Sequence, residues 1–527
     1  MKKSYFSKAT ALLLAAVLVF GLVLTGCGGT SPTPTNSPAT STPSGTAAAT
    51  PTTAASPSAT DASQLPPVNL TWYIVGSAQP DLQAVTDAMN KITQAKINAT
   101  ITIKTVDWGS YDDKMNLVYT SGEDWDLCYT ASWTNNYVNA VAKGAFAPLD
   151  DLLAQYGQGI TAAVPAKYFD AAKINGVLYG IPHYQIMCKV NGLDARKDLI
   201  DKYKFDVTQV KSLADMEPFF AEIKANEPGV TPYLATPLSI PVTFDKNTGY
   251  TYDNVTGNES NPLIIDVKDP NLTVKNRYET PEMMSMLTML HDWYLKGYIR
   301  KDAASLSDYN SEQKSGLYGA FMAGNLKPGN AAETFASLGY EVVDIPLTDP
   351  TISTMDVTSS LTAINANSKN PERAMMFFNL MYTDADLYNL MCHGIEGVHY
   401  EKISADTVRA LPNSAYNPGT DWMFGDQFLG YYREGQAPGT WEATQTLNES
   451  AQASPILGFE YDPTAMKTQN AQISAIIAEY TPGLATGTLD PATAIPELNA
   501  KLQQAGLADV IADAQKQLDA WRQAAGK

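Results

Sequence analysis

The chain has 527 residues, of which 44% are hydrophobic and 17% are charged. This composition is globular, is long enough for two or three domains, and excludes a chain that is disordered throughout. Acidic residues outnumber basic ones 55 to 36, the net charge is −19, and no long run of Lys or Arg occurs. Such a surface repels a phosphate backbone, so we expect no nucleic-acid partner.

The first 26 residues have the pattern of a signal peptide. Two lysines form a positively charged start, and residues 11–24 form an apolar segment of the length typical of signal peptides rather than of membrane-spanning helices. The segment ends in LTGC at residues 24–27, which resembles the bacterial lipobox, where the cysteine receives a diacylglyceryl group. We therefore predict a lipoprotein signal peptide over residues 1–26 and lipidation of Cys27, with an ordinary secretory signal as the alternative.

Residues 27–66 are predicted to form a tether. After Cys27 the segment is composed mainly of Thr, Ser, Pro, Ala and Gly, with Asp61 as the only ionisable residue and Leu65 as the only large apolar one. Such a composition cannot form a core. Its prolines favour an extended conformation of about 3.1 Å per residue, so the tether would reach about 100 Å from the membrane. The folded body is expected to begin near Val68.

An alternation of strands and helices follows. The hydrophobic periodicity predicts strands over residues 68–76, 99–108 and 125–130 and helices over residues 81–95 and 111–119. This βαβαβ order implies a parallel sheet with helices on its faces. Ligands of such sheets bind beyond the carboxyl ends of the strands, so residues 76–80, 107–110 and 129–136 are expected to line a cleft.

The later segments resemble a known family. They are residues 124–153, NGVLYGIPHY at 175–184, GLYGAFMAGN at 316–325, a helix over 370–391, GIEGVHY at 394–400, GFEYDP at 458–463 and a closing stretch over 493–522. Their order and spacing, together with the lipobox, are similar to the extracellular solute-binding proteins of ABC importers, specifically the sugar-type (family 1) lipoprotein group. The resemblance covers essentially the whole chain after the tether, although no single motif is decisive.

The resemblance implies an α/β fold of the two-lobed periplasmic-binding-protein type (type II), with a ligand cleft between the lobes and a hinge that closes them. By similarity, the N-terminal lobe comprises residues 68–185 and 358–405, and the C-terminal lobe comprises residues 186–357 and 406–525. Pro182 marks the expected first crossing between the lobes, because the residue before a proline favours an extended conformation. Residues 359–364 are expected to form the second crossing.

Sugar sites combine an aromatic surface for the apolar face of the ring with carboxylates or amides for its hydroxyls. Trp133 lies in the polar run TASWTNN at residues 130–136, where burial in a core is unfavourable, so it is a candidate ligand contact. Tyr129 at the end of the third strand and Trp108 after the second strand are further candidates. Trp422 is a candidate by similarity, because sugar-binding relatives bring a second-lobe aromatic to the ligand. Loop packing for Trp133 and a core position for Trp422 are the alternatives.

Weaker candidates lie elsewhere in the chain. Tyr184 and Gln185 are at the predicted hinge, and Asn325 is in a turn after a glycine. Glu396 has glycines on either side that would let the backbone turn tightly and direct its carboxylate into the cleft, or else it is a buried acid bonded by backbone amides. By contrast, Trp293 has apolar neighbours at helical spacing, which predicts a core position. We assign Trp521, in the last helix, a structural role as well.

No catalytic or metal-binding motif is present. The chain has no HExxH, no G-x-S-x-G elbow, no Walker loop and no G-x-G-x-x-G after the first strand, and its four histidines do not have zinc-site spacing. Acidic residues are too abundant to single out a glycosidase pair. We expect no enzyme activity, no cofactor and no metal. Cys128 and Cys188 would pair only if the third strand and the hinge segment are adjacent.

These features predict a monomeric receptor on the extracytoplasmic side of the cell membrane. It is expected to capture an extracellular carbohydrate, in particular an oligosaccharide, by closure of its lobes, and to deliver it to the transmembrane subunits of an ABC permease. A peptide remains an alternative solute. The alternative function is a surface-anchored glycan hydrolase or adhesin, which the same anchor and aromatic content would also serve.

Overall fold

The computed structural model describes residues 62–238, 240, 252–257, 261–306 and 308–526. The predicted signal peptide, Cys27 and the tether up to Asp61 lie outside the described residues. Residues 62–66, at the end of the predicted tether, are part of the fold. The Asn98 side-chain amide donates to the Leu65 carbonyl at 2.7 Å, and the Arg373 guanidinium donates to the Pro66 carbonyl at 3.3 Å. The described fold therefore begins a few residues before the expected start near Val68.

Strands and helices are interspersed along the whole described chain. The strands are β1 (Val68–Val75), β2 (Ala99–Val106), β3 (Leu127–Thr130), β4 (Gly180–Pro182), β5 (Gly192–Arg196), β6 (Thr231–Leu234), β7 (Tyr252–Asn254), β8 (Leu263–Asp266), β9 (Lys275–Asn276), β10 (Tyr318–Ala323), β11 (Val342–Pro346), β12 (Thr351–Ile352), β13 (Leu361–Ile364), β14 (Tyr400–Lys402), β15 (Thr407–Ala410), β16 (Tyr432–Arg433) and β17 (Gln452–Ala453). The helices are α1 (Leu82–Ile97), α2 (Tyr111–Ser121), α3 (Tyr137–Ala142), α4 (Asp150–Tyr156), α5 (Gln158–Ala163), α6 (Ala166–Ala172), α7 (Lys197–Tyr203), α8 (Glu217–Asn226), α9 (Pro281–Lys296), α10 (Tyr309–Lys314), α11 (Asn330–Leu338), α12 (Thr354–Val357), α13 (Pro371–Leu380), α14 (Ala385–His393), α15 (Thr440–Ser450), α16 (Lys467–Ala485), α17 (Pro491–Gln504) and α18 (Leu507–Ala525). Short 3-10 helices cover Ala62–Gln64, Val207–Gln209, Leu213–Met216, Arg277–Glu279, Ala303–Ser305, Asp421–Met423, Gln427–Leu429 and Thr464–Met466.

The first sheet has the strand order β2-β1-β3-β13-β4. Strand β1 is parallel to β2 along its whole length, from Val68 opposite Ala99 to Val75 opposite Val106, and it is also parallel to β3. The predicted βαβαβ order and its parallel pairing are therefore confirmed. Strand β13 runs antiparallel to both β3 and β4, so residues from the later part of the chain complete the sheet.

Helices cover this sheet, which buries the middle of β1. Trp72 is fully buried and packs edge-on against Phe377 and Phe424, with ring centroids 5.6 and 5.9 Å apart. Edge-to-face aromatic pairs of this kind stabilise a core beyond the area that they bury. Trp72 thus lies at the centre of the first hydrophobic core.

The single helix predicted over residues 370–391 is wrong, because the structure divides this segment into α13 and α14. The Asp384 carboxylate accepts a hydrogen bond from the Leu387 amide at 3.0 Å and so caps the start of α14. An aspartate favours such a cap over a helix interior, because its side chain competes for backbone amides. Between the helices, the Tyr382 hydroxyl donates to the Pro182 carbonyl at 2.6 Å and ties this break to β4.

The second sheet has the strand order β11-β5-β10-β6. Strand β5 is antiparallel to β10 and β11, and β10 is parallel to β6. Trp293 of α9 is fully buried beside this sheet and packs edge-on against Phe220 at 5.0 Å. The predicted core position of Trp293 is therefore confirmed.

Helices α16, α17 and α18 form a third core together with α9 and strand β8. Its buried side chains include Leu263, Ile265, Leu287, Ile473, Ile477, Leu498, Leu502, Leu507, Val510 and Leu518. Trp521 of α18 packs against its edge, with its ring 5.8 Å from that of Phe459, in agreement with the predicted structural role. Along the described ranges, no helix combines the length and the apolar character needed to cross a membrane.

Cys128, Cys188 and Cys392 are buried free thiols, so Cys128 and Cys188 are not joined by a disulfide. Cys128 lies on β3 within the first core, whereas the Cys188 thiol lies 3.9 Å from the Leu447 carbonyl of α15. Burial raises the pKa of both the Cys128 and the Cys188 thiol to about 12. A thiol that stays protonated at neutral pH is a poor nucleophile, so these cysteines serve as small core residues.

Candidate functional site

A cavity of about 830 Å³ lies beyond the end of β3. One side is the loop 132–136 with the start of α3, and the opposite side consists of the chain around β7 and the residues that lead into α16. Residues 354–359, at α12 and after it, form the floor between them. The cavity is thus bounded by segments that are far apart in the sequence, which is typical of a ligand cleft.

Four aromatic residues predicted as ligand contacts come together at this cleft. We call Trp108, Tyr129, Trp133 and Trp422 the aromatic cluster. The Trp133 ring lines the cleft with 51% of the residue exposed, and its centroid lies 6.0 Å from Trp108, 6.1 Å from Tyr129 and 6.3 Å from Trp422. The rings of Trp108 and Trp133 are stacked, with an interplanar angle of 22°, and Trp108 is 40% exposed. Exposed aromatic faces beside a polar cavity are typical of a binding site.

Hydrogen bonds to the cleft floor fix the orientation of Trp133. Its indole nitrogen donates to the Ser359 carbonyl at 2.8 Å, and the Tyr129 hydroxyl donates to the same carbonyl at 3.1 Å. The Ser132 amide donates to the Thr358 carbonyl at 2.8 Å. The indole therefore has its polar group satisfied by the protein while much of its apolar surface remains open to the cleft. A ring held in this way loses little conformational entropy when a ligand binds.

Asp112, at the start of α2, holds the loop that carries Trp133. Its carboxylate accepts hydrogen bonds from the Thr134 hydroxyl, at 2.8 Å, and from the Asn135 amide. Asn135 has a φ of 40°, a left-handed conformation that asparagine tolerates better than most residues. The sequence analysis missed Asp112, although its place just beyond the end of β2 is where this fold class puts functional side chains.

Tyr129 is the fully buried member of the aromatic cluster. Its ring is 5.9 Å from that of His183, whose two ring nitrogens bond to the Ser360 hydroxyl at 2.7 Å and the Thr362 hydroxyl at 2.9 Å. Burial lowers the pKa of His183 to about 3, so this imidazole is neutral at physiological pH. Tyr129 and His183 therefore pack behind the exposed rings rather than in the open part of the cleft.

Trp422 is partly buried and lies in the short helix Asp421–Met423. The Tyr388 hydroxyl donates to the Asp421 carbonyl at 2.6 Å, and an Arg433 guanidinium nitrogen lies 3.3 Å from the Asp421 carboxylate. Burial alone would raise the pKa of Asp421, but the Arg433 charge, together with smaller contributions that include the Lys327 charge, outweighs burial and holds that pKa at about 2. A partly buried ion pair thus anchors the helix that places Trp422 next to Trp133.

The chain around β7 and the residues that lead into α16 bring polar side chains to the cleft, next to the buried Phe459 and Tyr461. We call the following residues the polar wall: Asp253, Asn254, Asn261, Glu460, Lys467 and Asn470. The Asn261 side-chain amide donates to the side-chain carbonyl oxygen of Asn470 at 2.8 Å, and this hydrogen bond joins the two segments that form the wall. Amides and carboxyls in this position can bond to ligand hydroxyls. None of these residues was predicted; the one signal was the motif GFEYDP, in which Glu460 lies between two aromatic residues.

Of the aromatic cluster only Trp133 lines the cavity, and the other four predicted contacts do not line it either. Tyr184 is buried edge-on against a phenylalanine, and the carbonyl of Gln185 accepts a bond from the Asn448 amide. Asn325 bonds through both ends of its side-chain amide to the backbone of residues 188 and 190. Glu396 is exposed, with Lys402 at 3.6 Å, so it is not the buried acid of the alternative interpretation. A ligand role for these four residues stays a prediction.

The expected cleft segments were partly correct. Residues 132–136 line the cavity and Trp108 lies beside it, but residues 76–80 do not line it. The Asn417 amide donates to the Gln79 side chain at 2.8 Å, and the Asp81 amide donates to the Ala415 carbonyl at 3.2 Å. A later part of the chain therefore covers the carboxyl end of β1. Within the described residues, no three His, Cys, Asp or Glu side chains converge as a metal site.

Comparison with known proteins agrees with this geometry. Residues 87–394 match the family described as bacterial extracellular solute-binding protein. The chain belongs to this family. Residues 455–523 also match a domain of unknown function, DUF3502. A carbohydrate ABC transporter substrate-binding protein of Streptococcus pneumoniae serotype 4 (strain ATCC BAA-334 / TIGR4) is 28% identical over 481 residues, which cover 90% of this chain and 95% of the relative.

Solved structures show the same fold for this extracellular solute-binding protein. The crystal structure of the N-glycan transport solute binding protein NgtS from Streptococcus pneumoniae superposes with a TM-score of 0.78 and is 27% identical, over 86% of this chain and 98% of NgtS. NgtS in complex with Man5GlcNAc superposes with a TM-score of 0.70 at the same identity and coverage. The alginate-binding protein AlgQ2, at 16% identity and a TM-score of 0.57, shares the fold over 87% of this chain and 99% of that one. The predicted family and α/β fold class are confirmed.

Proposed function

We propose that this solute-binding protein captures an extracellular oligosaccharide for an ABC importer. The observation that carries the proposal is the half-exposed Trp133, which faces a cleft whose opposite side is built from amides and carboxyls. A sugar ring has an apolar face that stacks on an indole and hydroxyls that bond to polar side chains. The cleft offers both surfaces at once.

The relatives and the size of the cleft support an oligosaccharide. NgtS has been crystallised with Man5GlcNAc and with Man1GlcNAc. The relative that is 28% identical is the substrate-binding protein of a carbohydrate ABC transporter. The cleft volume of about 830 Å³ lies in the upper part of the range of about 300–1,000 Å³ for small-molecule sites. Such a volume suits more than one sugar ring.

Binding without covalent chemistry is the proposed mechanism. Trp108, Tyr129 and Trp133 belong to the proposed N-terminal lobe, residues 68–185 and 358–405. Trp422 and the polar wall belong to the proposed C-terminal lobe, residues 186–357 and 406–525. Closure of the lobes would bring the polar wall onto a sugar already stacked on Trp133, and opening would release it to the permease. The binding energy comes from contacts that only the closed state completes, so the sugar shifts the protein towards closure.

We further propose that residues 1–26 are removed, that Cys27 is lipidated, and that the segment from Cys27 to the start of the described fold tethers a monomeric receptor to the outer face of the cell membrane. Each buried methylene contributes about 0.8 kcal/mol, so two or more acyl chains hold a protein stably where one chain does not. Replacing Cys27→Ala tests this anchor: we expect the variant protein in the soluble fraction and the parent in the membrane fraction. Equal membrane association of the two proteins would contradict it.

Calorimetric titration tests the function. The protein is extracted from membranes in a detergent without a sugar headgroup and titrated with Man5GlcNAc, other oligosaccharides and peptides, and the recovered ligand is analysed by mass spectrometry. We expect saturable one-site binding of intact oligosaccharide, weakened about tenfold by Trp133→Ala. Phe335→Ala is the matched control, because it removes another half-exposed aromatic far from the cleft lining.

Each contrary result has a distinct meaning. Recovery of cleaved sugar would contradict the receptor function and support the glycan hydrolase instead. Binding of peptides alone would overturn the carbohydrate class. Oligosaccharide binding that Trp133→Ala leaves unchanged would place the sugar site elsewhere in the molecule.

A further inference from the structure

We propose that the polar wall selects uncharged oligosaccharides and rejects acidic ones through the carboxyl groups of Glu460 and Asp253, neither of which is paired with a cation of the wall. The proposal rests on the oligosaccharide function and names its substrate class. It also gives a role to residues 455–523, the segment that matches a domain of unknown function, because Glu460 lies in this segment.

The charged side chains that line the cleft differ in how they are engaged. They are Asp112, Asp253, Asp356, Glu460, Lys189 and Lys467. Asp112 is bonded to the Trp133 loop, and the Asp356 carboxylate accepts from the amide and hydroxyl of Ser353 at 2.8 and 2.7 Å in a capping box. Asp253 accepts a hydrogen bond from the Asn254 amide at 2.8 Å. Asp253 and Glu460 are the two acids of the polar wall itself.

Glu460 is a carboxyl group that the protein leaves uncompensated. Among the described residues, no hydrogen bond or ion pair reaches its side chain, and it lines the open cavity. An acid that is partly removed from water and has no partner costs free energy, so it is rarely retained for stability alone. Its position on a cleft wall makes a ligand the natural partner.

The environment of both acids disfavours negative charge. Burial raises the pKa of Glu460 to about 7. Burial also raises the pKa of Asp253 to about 7, and the neighbouring Asp356 charge adds to this effect, while the Ser454 hydroxyl and the Asn254 amide oppose it. Among the described residues, neither Lys189 nor Lys467 forms an ion pair with either carboxyl, although both lysines line the cleft. No cation of the wall is therefore placed to neutralise these two carboxyls.

The consequence concerns the charge of the ligand. A wall that keeps its own carboxyls partly protonated at neutral pH imposes a further cost on a ligand carboxylate placed beside them. A protonated carboxyl, by contrast, both donates and accepts hydrogen bonds, which suits a sugar hydroxyl. Neutral sugars are therefore bound and acidic sugars, such as uronates, are excluded.

The selection depends on pH, and its direction follows from the raised pKa values. Asp253 and Glu460 become carboxylates as the pH rises through about 7, and they become neutral as it falls below that value. A ligand carboxylate is therefore repelled most at pH 8 and least at pH 5.5. The other charged groups that line the cleft with this pair are Asp112, Asp356, Lys189 and Lys467.

The test uses two probes that differ only in charge. They are Man5GlcNAc and the same glycan with its primary hydroxyls oxidised to carboxylates, each titrated into the membrane-extracted protein at pH 8 and at pH 5.5. We expect the neutral glycan to bind at least about tenfold more tightly than the oxidised glycan at pH 8, and this ratio to fall below about threefold at pH 5.5. Affinity for the neutral glycan should change by less than about threefold between the two pH values.

Two isosteric variants assign the effect to its residues. Glu460→Gln and Asp253→Asn should each reduce the ratio of neutral-glycan to oxidised-glycan affinity at pH 8, and circular dichroism checks that each variant is folded. Asp151→Asn is the control, since it removes an equal charge from an exposed position of α4 outside the cleft lining. The pH series on the parent protein is independent of any variant.

The outcomes separate the two proposals. Equal binding of both glycans at pH 8, tighter binding of the oxidised glycan through the lysines, or discrimination that neither pH nor Glu460→Gln changes would overturn the selection and leave the oligosaccharide function standing. Failure of both glycans and of every other oligosaccharide to bind at either pH would overturn the function itself.

Discussion

Trp72 lies in β1 and Trp133 in the loop that follows β3 of the same sheet, and the two side chains have opposite environments. Trp72 is fully buried in the first core, and within the described residues its indole nitrogen has no hydrogen-bond partner. Trp133 has its indole nitrogen bonded to the Ser359 carbonyl, yet half of the residue faces the cleft. Trp72 is thus completely packed by apolar neighbours although its indole N–H lacks a hydrogen bond. Trp133 has its N–H hydrogen-bonded, but much of its apolar surface is exposed.

This difference distinguishes a stabilising residue from a binding residue. A large aromatic side chain gains most of its folding energy from burial, so a half-exposed tryptophan held rigidly by hydrogen bonds contributes less to stability than its size permits. Exposure of this kind is expected where a ligand completes the burial. Substitutions at the two tryptophans and at their neighbours test this difference, and the largest effect is expected at Trp72.

Trp72→Ala is expected to lower the free energy of unfolding by about 3–5 kcal/mol, because it leaves a cavity between β1 and the rings of α13. Urea denaturation monitored by circular dichroism measures the change. Oligosaccharide affinity, corrected for the folded fraction, should match that of the parent. A loss of stability below about 1 kcal/mol would contradict the assignment of Trp72 to the centre of the core.

Trp133→Ala is expected to weaken oligosaccharide binding and to leave the stability almost unchanged, the reverse of Trp72→Ala. Affinity for oligosaccharide should fall about tenfold, because the stacking surface is lost, while the free energy of unfolding should change by less than about 1 kcal/mol. Calorimetry and urea denaturation on the same preparation give both values. If Trp133→Ala destabilised the fold as strongly as Trp72→Ala, Trp133 would have to be regarded as a core residue.

Asp112→Asn should weaken oligosaccharide binding by about fivefold, because the carboxylate that holds the Thr134 hydroxyl and the Asn135 amide is lost. Asp112 acts as a positioning residue for Trp133. The double variant with Trp133→Ala should therefore bind no more weakly than Trp133→Ala alone. Asp113→Asn, the adjacent exposed acid of α2, serves as the control. Fully additive losses would show that Asp112 acts independently of Trp133.

Trp108→Ala should weaken binding by about threefold, since it removes the ring stacked on Trp133 and leaves Trp133 and its hydrogen bond in place. Leu117→Ala, which trims another exposed apolar side chain of the same region, should have no effect. Titration calorimetry with the same oligosaccharide distinguishes the two. If both variants weakened binding equally, the stacking of Trp108 on Trp133 would have no specific role in binding.

The smallest expected effect concerns the stability cost of Glu460. Its pKa of about 7 in the folded protein lies above the value of an unfolded glutamate, so ionising it costs stability as the pH rises from about 4.5 to 7. Glu460→Gln should therefore be more stable than the parent at pH 8, with the difference lost at pH 5. Urea denaturation at both pH values checks this. An identical difference at both pH values would mean that the ionisation of Glu460 carries no such cost.

The first sheet could be predicted because its signal is local. The alternation in β1 and β2 and the helical spacing between them appear within windows of a few residues. The exposure of Trp133 could be predicted for a related reason, because its sequence neighbours are polar and do not favour a core position. The break between α13 and α14 was missed because the apolar pattern continues through it, and the cap at Asp384 becomes visible only in three dimensions.

The polar wall could not be predicted for a different reason. Asp253 and Glu460 come from distant parts of the chain, and their proximity depends on how β7 and the approach to α16 fold together. Their raised pKa values arise from burial, which no sequence pattern encodes. Trp422 was proposed only through the family resemblance, and nothing in its local sequence distinguishes it from a core tryptophan.

The most direct test of the sugar site is ¹⁹F nuclear magnetic resonance of the protein labelled with 5-fluorotryptophan, recorded with and without saturating oligosaccharide. The chain has 8 tryptophans, and single Trp→Phe variants assign their signals. We predict that the signals of Trp133 and Trp108 shift on binding and that those of Trp72 and Trp293 stay in place. Saturable binding that leaves the Trp133 signal unmoved would contradict the claim that the sugar stacks in this cleft.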